Sequence, residues 1–282
     1  MKKKNKVGLV ILNFNDYKTT LSLIEKVKDY NILDKIMIID NCSTNNSLSI
    51  LKKYENDKII VERSKFNGGY AVGNNFGVKE LLKIKKCDYI IIANPDVIFE
   101  EKTVEVLIEK MEEDKNIGVI APMMKPNTTR YYKFNYIECI CSLFLFINKL
   151  FLKFRKKIPD EINFIPGSLL MFRTDAFLKV GGFDENTFLY CEEPIIIHKL
   201  NDNKYKAKII SDIYYIHNHS ITIKKVYKSK IKPYKIYLNS LNYYLYEIIK
   251  INILQKIIFR ICTLISYLER IIYDFITRIM NI

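Results

Sequence analysis

The tripeptide Asn94-Pro95-Asp96 combines residue types and a position that suit metal and phosphate chemistry. It directly follows residues 89–93, a continuous apolar run that predicts a strand buried on both faces. In open α/β sheets, ligands bind beyond the carboxyl ends of the strands. Asp96 is therefore a candidate oxygen ligand for a divalent metal that faces a phosphate. The alternative is an ordinary turn, because Asn, Pro and Asp all favour turns.

Two earlier apolar runs also end in polar side chains. Residues 7–12 and 36–39 are followed by a polar set that comprises Asn13, Asn15, Asp16, Asp40 and Asn41. If these strands are parallel to residues 89–93, their polar ends share one edge of the sheet. Asp40 would there accept hydrogen bonds from a ribose or a base N–H group, or it would form a helix N-cap or an Asx-turn. Asp16 is expected to cap the helix that follows it.

Residues 67–77 form a glycine-rich stretch. Its glycines would let a ligand approach the backbone closely, and the helix predicted from about Phe76 would direct backbone N–H groups at an anion. The stretch matches neither the G-x-G-x-x-G fingerprint nor a Walker loop, which disfavours binding of NAD or ATP by those routes.

The elements that must position these residues alternate between strand and helix. Predicted strands at residues 7–12, 36–39 and 58–61 are separated by helical patterns, which is typical of a parallel sheet with helices on both faces. With 282 residues, of which 49% are hydrophobic, the chain is long enough for one large α/β domain or one domain with an appendage.

Charge and cysteine content limit the partners and the compartment. The net charge of +14 favours an anionic partner, which would be a nucleotide, a nucleic acid or an acidic membrane surface. Six scattered cysteines and a charged start without a secretory pattern predict reduced thiols and a cytoplasmic location. No apolar run reaches about 18 residues, so a transmembrane helix is not expected. Residues 134–154 are rich in Phe, Leu and Ile but interrupted by polar residues, which favours interfacial contact over spanning.

Several motifs together resemble those of family 2 glycosyltransferases, particularly the rhamnosyltransferase-like branch. They occur in the family's order, at residues 40–43, 67–77, 94–96, 167–173 and 181–193. The resemblance covers about residues 6–222 and implies a GT-A-like, Rossmann-related fold with an inverting, nucleotide-sugar-dependent activity. It divides the chain into a catalytic domain with a nucleotide half and an acceptor half, followed by a tail, with bounds at about 1–98, 99–222 and 223–282.

The resemblance also assigns residues to the donor and the metal. Asp40 would contact the uracil or thymine base or the ribose, and the donor-binding set comprises Asn13, Asn15, Asp40, Asn41, Gly69, Tyr70, Asn74 and Asn94. Asn94 stands where the family usually has an acid, which leaves Asp96 as the metal ligand. His217 would complete the metal shell, with His219 as its substitute. A Mg²⁺ or Mn²⁺ cofactor would neutralise the diphosphate leaving group.

Glu192 and Glu193 precede an apolar helix and match the family's catalytic acids. The resemblance makes Glu193 the base that removes the acceptor proton, with Glu192 beside it. Alternatively, both acids merely complement a helix dipole. The residues that follow depart from the family, because Pro194 replaces an acid and Lys199 stands for an Arg. These departures put the acceptor geometry in question.

The last quarter of the chain predicts a basic, amphipathic helical tail. Apolar residues recur at helical spacing between residues 243 and 279, opposite a stripe that contains Lys256, Arg260, Arg270 and Arg278. Such a helix would lie in an anionic membrane interface, or it would pack on the catalytic domain or on a second subunit to form a homo-oligomer.

The leading functional hypothesis is a metal-dependent hexosyltransferase on the inner face of the cell membrane. It would move rhamnose or another hexose from a dTDP- or UDP-sugar to a glycan or lipid-linked acceptor in cell-surface polysaccharide synthesis. One alternative is a catalytically impaired relative that binds nucleotide sugar or a partner enzyme. A nucleic-acid binder is disfavoured, because no recognition motif accompanies the positive charge.

Overall fold

The computed structural model describes residues 5–126, 134–153, 162–218 and 231–279. The N-terminal elements are β1 (Val7–Asn13), α1 (Tyr17–Val27), β2 (Lys35–Asp40), α2 (Ser47–Leu51), β3 (Ile59–Arg63), α3 (Gly69–Ile84) and β4 (Tyr89–Ala93). The middle of the chain forms β5 (Val97–Ile98), α4 (Glu101–Glu113), β6 (Ile117–Lys125), α5 (Tyr136–Leu143) and α6 (Leu145–Lys153). The remaining elements are β7 (Leu169–Arg173), α7 (Thr174–Lys179), α8 (Glu192–Asp202), β8 (Lys206–His217), α9 (Ile231–Tyr243), a π-helical turn (Tyr244–Ile248) and α10 (Ile253–Ile279).

The strands form one mixed sheet in the order β3-β2-β1-β4-β7-β6-β8-β5. The first four strands are parallel, as the alternating pattern predicts. The second half departs from a purely parallel arrangement, because β7 runs antiparallel to both β4 and β6, and β5 runs antiparallel to β8. The four predicted strands at residues 7–12, 36–39, 58–61 and 89–93 all form, and the apolar residues of β1, β2 and β4 are almost completely buried.

Strand register brings the candidate residues to one edge of the sheet. Asn13 pairs with Asp40 across β1 and β2, and β4 ends at Ala93 beside Leu169. Since β7 is antiparallel to β4, the start of β7 lies at the same edge as the end of β4. The backbone N–H of Asn94 donates to the carbonyl of Ser168 at 2.8 Å, which fixes this junction. The shared edge predicted from the sequence is thus confirmed.

Most of the glycine-rich stretch, residues 67–77, forms the first half of α3. It is not a loop that precedes a helix. The helix begins at Gly69, earlier than the sequence pattern suggests. A Cβ atom at Gly77 would lie 2.6 Å from Cγ1 of Val10 and 2.8 Å from Cγ1 of Ile39. Gly77 therefore allows α3 to lie close on the sheet, while the expected role of the other glycines in ligand approach stays a prediction.

Asp16 occupies the position before α1, but its side chain makes no backbone capping hydrogen bond. Its carboxylate accepts a hydrogen bond from the hydroxyl of Thr19 at 2.8 Å instead. The predicted capping hydrogen bond from Asp16 is thus wrong, although the helix begins directly after Asp16 as the sequence predicts.

A second apolar core joins the C-terminal helices to the middle of the chain. It comprises Cys139, Leu143, Cys191, Ile195, Leu241, Tyr244, Leu245, Ile251 and Phe259. The predicted boundary near residue 222 lies outside the described residues, and the division into halves and a tail stays a prediction. Within the described part of the chain, no helix is long and apolar enough to cross a membrane.

Replacing Gly77 with Ala is expected to lower the free energy of unfolding by about 1–3 kcal/mol, because the new methyl group overlaps Val10 and Ile39. In an ordinary helix interior the same change stabilises by about 1 kcal/mol. Urea denaturation followed by circular dichroism measures the difference. The exposed Lys79 of the same helix supplies the control, since Lys79→Ala should change stability by less than about 0.5 kcal/mol. A stabilised Gly77→Ala protein would contradict the packing role.

Candidate active site

A cavity of about 390 Å³ opens at the edge of the sheet where the polar strand ends meet. Its walls come from the ends of β1 and β4, the first turn of α3, the start of β7 and the first turn of α8. Of the residues singled out from the sequence, those that line it are Asp16, Asn41, Gly69, Tyr70, Asn94, Asp96, Glu192, Glu193 and His217. The fold therefore gathers the candidate metal ligands and the candidate base around one space.

Asp96 and His217 form a buried pair in the cavity wall. Pairing of β5 with β8 sets Val97 opposite His217, and the backbone N–H of Asn218 donates to the Asp96 carbonyl at 3.0 Å. The Nε2 atom of His217 lies 3.1 Å from Oδ1 of Asp96, and the two residues are only 7% and 8% exposed. His219, the substitute considered from the sequence, lies outside the described residues.

The Asp96 and His217 pair suits a metal that arrives together with a diphosphate. Among the described residues, no three His, Cys, Asp or Glu side chains converge to form a complete metal site. Mg²⁺ is commonly bound by one or two protein carboxylates, and phosphate oxygens and water fill its remaining positions. Mn²⁺ likewise favours carboxylate and water oxygens, and the imidazole of His217 would add one nitrogen ligand to such a set. The donor set therefore fits a shared site in which the substrate supplies part of the coordination.

Glu193 also lines the cavity, from the first turn of α8. Its carboxylate is so close to Gly167 that a Cβ atom there would lie 2.2 Å from Oε1. Burial raises the pKa of Glu193 to about 7, although the backbone N–H groups of Glu193 and Gly167 donate to the carboxylate and oppose the shift. Gly167 thus supplies both the room and a hydrogen bond for this side chain. A carboxylate that titrates near neutral pH suits a general base.

Glu192 has a different environment from that of its neighbour. It is 2% exposed, and its Oε1 atom has no hydrogen-bond partner. Burial, followed by the charge of Glu193, raises the pKa of Glu192 well above its ordinary value. The buried carboxyl of Glu192 is therefore harder to ionise than an exposed one.

The backbone before α8 is strained. Tyr190 and Cys191 adopt left-handed conformations with φ of 76° and 67°, which residues other than glycine rarely do. Two such residues in succession cost free energy that the surrounding packing must offset. The ring of Tyr190 packs edge-on against Tyr237, and Cys191 belongs to the second core. The C-terminal helices thus hold the segment that presents Glu192 and Glu193.

Asn13 and Asp40 lie behind the cavity in a fully buried hydrogen-bond network. The amide of Asn13 donates to Oδ1 of Asp40 at 3.0 Å, and the backbone N–H of Ser43 donates to Oδ2 at 3.0 Å. The guanidinium of Arg63 lies 3.9 Å from the same carboxylate. Asp40 therefore forms the local turn that was one of its two sequence interpretations. Its contact with a base or a ribose stays a prediction.

The other donor-side residues are arranged around this network. Asn15 has a φ of 56° and accepts a hydrogen bond from the backbone N–H of Thr44, which ties the β1 and β2 ends together. Asn41 donates to Asn67 and to the carbonyl of Gly69, at 3.0 and 3.2 Å. Asn74 is completely buried in α3 and donates to the carbonyl of Tyr70. Only part of the predicted donor set therefore faces the cavity directly.

The sequence interpretation missed several residues that shape the cavity. Ser168 lines it, and the hydroxyl of Ser168 lies 2.6 Å from the hydroxyl of Tyr215. The hydroxyl of Tyr70, which was predicted, donates to the Gly167 carbonyl at 2.6 Å. Apolar walls are formed by Phe14, Met124, Phe164, Phe188 and Tyr190. Ser168 follows Gly167 in one of the recognised motifs, which was a usable signal. The aromatic residues have no periodic pattern that would mark them in advance.

The residues after Glu193 that differ from the family pattern have structural roles in and around α8. Pro194 lies in the first turn of α8, where its missing N–H is tolerated. The ammonium of Lys199 donates to the carbonyl of Gly182 at 3.1 Å. His198 lies 3.6 Å from Asp202, one turn along the helix surface. These residues stabilise α8 and its surroundings, and they do not line the cavity.

Comparison with known proteins identifies the family. The family model described as glycosyl transferase family 2 matches residues 9–181. Curated relatives include the O-antigen chain rhamnosyltransferase WbaN of Salmonella anatum, which is 24% identical over 69% of this chain and 60% of its own length. The rhamnosyltransferase WbbL of Escherichia coli K12 is 26% identical over 44% of this chain and 51% of its own length. This chain spans 60% of the first relative and 51% of the second.

Solved structures support the fold. Mannosyltransferase PcManGT from Pyrobaculum calidifontis, in complex with GDP-Man and Mn²⁺, has a TM-score of 0.63 at 11% identity, covering 87% of this chain and 66% of its own. Staphylococcus aureus TarS 1-349, in complex with UDP-GlcNAc, has a TM-score of 0.56 at 14% identity, covering 86% and 67%. Both agree with the GT-A-like fold predicted from the sequence. Since the family model matches more than half of the residues, the chain belongs to glycosyl transferase family 2.

Proposed function

We propose that the protein transfers a hexose from a dTDP- or UDP-sugar to a glycan or lipid-linked acceptor in cell-surface polysaccharide synthesis. Rhamnose is the leading candidate for the sugar, because named relatives are rhamnosyltransferases. The observation that carries the proposal is that the Asp96 and His217 pair and Glu193 line one and the same cavity. Donor activation and acceptor deprotonation have to occur within one such space.

The donor would lie along the strand ends of the proposed nucleotide half, residues 1–98. Asp96 and His217 would hold Mg²⁺ or Mn²⁺, which would neutralise charge on the departing diphosphate. Asn41, Gly69 and Asn94 would border the nucleotide and its sugar. The buried Asn13 and Asp40 network would keep these strand ends in a fixed arrangement.

The acceptor would enter beside Glu193, from the proposed acceptor half. Glu193 would accept the proton of the acceptor hydroxyl as its oxygen bonds to the anomeric carbon of the sugar. The bond from that carbon to the diphosphate oxygen breaks at the same time, and the anomeric configuration is inverted. The contact between Glu193 and the Gly167 N–H would orient the carboxylate for this role.

A catalytically impaired relative that only binds nucleotide sugar is the second candidate. It is favoured by Lys199, which donates to a backbone carbonyl and does not reach into the cavity. Tight donor binding without any turnover, including hydrolysis of the donor, would distinguish this candidate from the transferase.

Asp96→Ala is expected to weaken Mn²⁺-dependent binding of UDP or dTDP at least about tenfold, because it removes the carboxylate ligand. Isothermal titration calorimetry with and without a chelator measures this effect. His217→Ala should act in the same direction. The exposed Asp212 in β8 provides a matched control, and Asp212→Ala should bind as the unmodified protein does. The metal assignment would be contradicted if all variants bound the nucleotide equally well, or if the chelator did not change nucleotide binding.

Glu193→Gln is expected to lower kcat by about 10²–10⁴, since Gln cannot accept the acceptor proton. Glu192→Gln is the matched control and should lose far less activity, because Glu192 is not the residue proposed to accept the acceptor proton. For the unmodified enzyme, kcat/KM should rise with pH as Glu193 ionises through a pKa of about 7.

The initial rate of sugar transfer, measured across pH 5–9 under a saturating metal concentration, tests both statements. A profile without an ascending limb in the unmodified enzyme would count against Glu193 as the base. So would a Glu192→Gln protein that is more impaired than Glu193→Gln.

A further inference from the structure

The long helix α10 turns its apolar stripe away from the protein. Twelve large apolar side chains on this helix are between 40% and 79% exposed. They are Ile253, Leu254, Ile257, Ile258, Ile261, Leu264, Ile265, Leu268, Ile271, Ile272, Phe275 and Ile276. Exposed apolar surface of this extent is rare on monomeric proteins and marks a site of interaction.

The opposite, more polar side of α10 is the side that packs on the protein. Phe259 is 3% exposed and joins the second core, while Ser266 is fully buried. The hydroxyl of Tyr234 donates to Ser266 at 2.6 Å, and the guanidinium of Arg270 lies 4.5 Å from the centre of the Tyr234 ring. Polar contacts therefore fix the orientation of the helix, and the exposed stripe does not result from loose packing.

Helices α5 and α6 lie beside α10 and also carry exposed apolar side chains. The backbone N–H of Leu145 donates to the carboxylate of Glu269 at 3.1 Å, and Arg270 donates to the carbonyl of Leu143 at 3.5 Å. On these two helices, Ile137, Phe146, Ile147 and Leu150 are 45–74% exposed. We call the exposed apolar side chains of α5, α6 and α10 the apolar face.

We propose that the apolar face lies in the interfacial region of an anionic lipid bilayer. Charge favours this partner, because residues 231–279 contain seven Lys and Arg against three Asp and Glu, and the whole chain carries +14. Arg260 is exposed and lies one turn from both Ile257 and Leu264, where its long side chain reaches lipid headgroups while the stripe is buried. Lys232, Lys235 and Lys250 are likewise exposed.

A second copy of the chain is a poorer partner for the same face. Two copies carry the same large positive charge and repel each other, whereas an anionic surface attracts both. A paired helix also buries a narrow stripe, while the apolar face spans a broad side of α10 and extends across two further helices. No described helix is suited to cross the bilayer, so the geometry points to a helix that lies in the interface plane.

The apolar face is connected to the candidate base through the second core. Phe259 on α10 belongs to the same buried cluster as Cys191 and Ile195, which flank Glu192 and Glu193 in sequence. A membrane-bound α10 would therefore share a buried core with the elements that present the acceptor site. This step rests on the proposed function and would favour an acceptor carried by lipid.

Vesicle sedimentation tests membrane binding without any activity assay. The full chain should sediment with vesicles of phosphatidylglycerol and phosphatidylcholine, and should do so less with phosphatidylcholine alone or at high salt. Leu264→Asp combined with Leu268→Asp should lower the partition coefficient at least about tenfold, because charges replace buried apolar groups. Both sites are more than half exposed, at 64% and 52%, so the fold should tolerate the change. Leu178→Asp, at a site 56% exposed on α7, is the matched control and should bind normally.

Fluorescence locates the surface that enters the lipid. The chain has no Trp, so Phe275→Trp introduces a single reporter on the apolar face. Its emission should shift to shorter wavelength when anionic vesicles are added. Phe66→Trp, placed after the edge strand β3 at a site 60% exposed, should not shift.

Two results would overturn the proposal. One is a folded protein that fails to bind anionic vesicles at any ionic strength. The other is a stable dimer in light scattering that the Leu264 and Leu268 substitutions dissociate, which would make the face an interface between copies. Asp96→Ala should bind vesicles normally, so failure of the proposed transferase site and failure of the membrane proposal give separate results.

Discussion

The antiparallel pairing of short β5 with the end of β8 is the constraint on which the candidate site depends. It brings residues 121 positions apart in the chain, Asp96 and His217, to 3.1 Å. Neither residue would be a credible metal ligand without the other, because a lone carboxylate at a strand end is an ordinary turn residue. The neighbouring antiparallel step from β4 to β7 adds Gly167, whose backbone orients Glu193. The two antiparallel strand pairings therefore place both the candidate metal ligands and the residue that contacts the candidate base.

The parallel half of the fold could be predicted because its signals are local. Uninterrupted apolar runs gave β1, β2, β3 and β4, and the polar residues after them shared one edge once the strands were parallel. The motifs likewise identified several polar residues that line the cavity, although they did not identify its aromatic walls. The motifs did not show which of these residues face the cavity and which are buried behind it. Asp40 and Asn13 are hydrogen-bonded to each other behind the cavity wall. This arrangement depends on packing between strands, and the residue types alone do not indicate it.

The orientation of α10 was not predictable from periodicity. An amphipathic pattern fixes the width of an apolar stripe, but it does not say which side meets the protein. Here Phe259, Ser266 and Arg270 supply enough contacts with α5 and α9 to dock the more polar side. The packing role of Gly77 was not predictable for a related reason, since it follows from the close approach of Val10 and Ile39, which only the assembled sheet creates.

The most direct test of the site is a crystal soaked with Mn²⁺ and dTDP or UDP, with data collected for the anomalous signal of manganese. The account predicts one strong peak within coordination distance of both Asp96 and His217, next to the diphosphate, with Glu193 facing the open side of the cavity. A nucleotide bound there without a metal peak, or a peak that contacts neither residue, would contradict it.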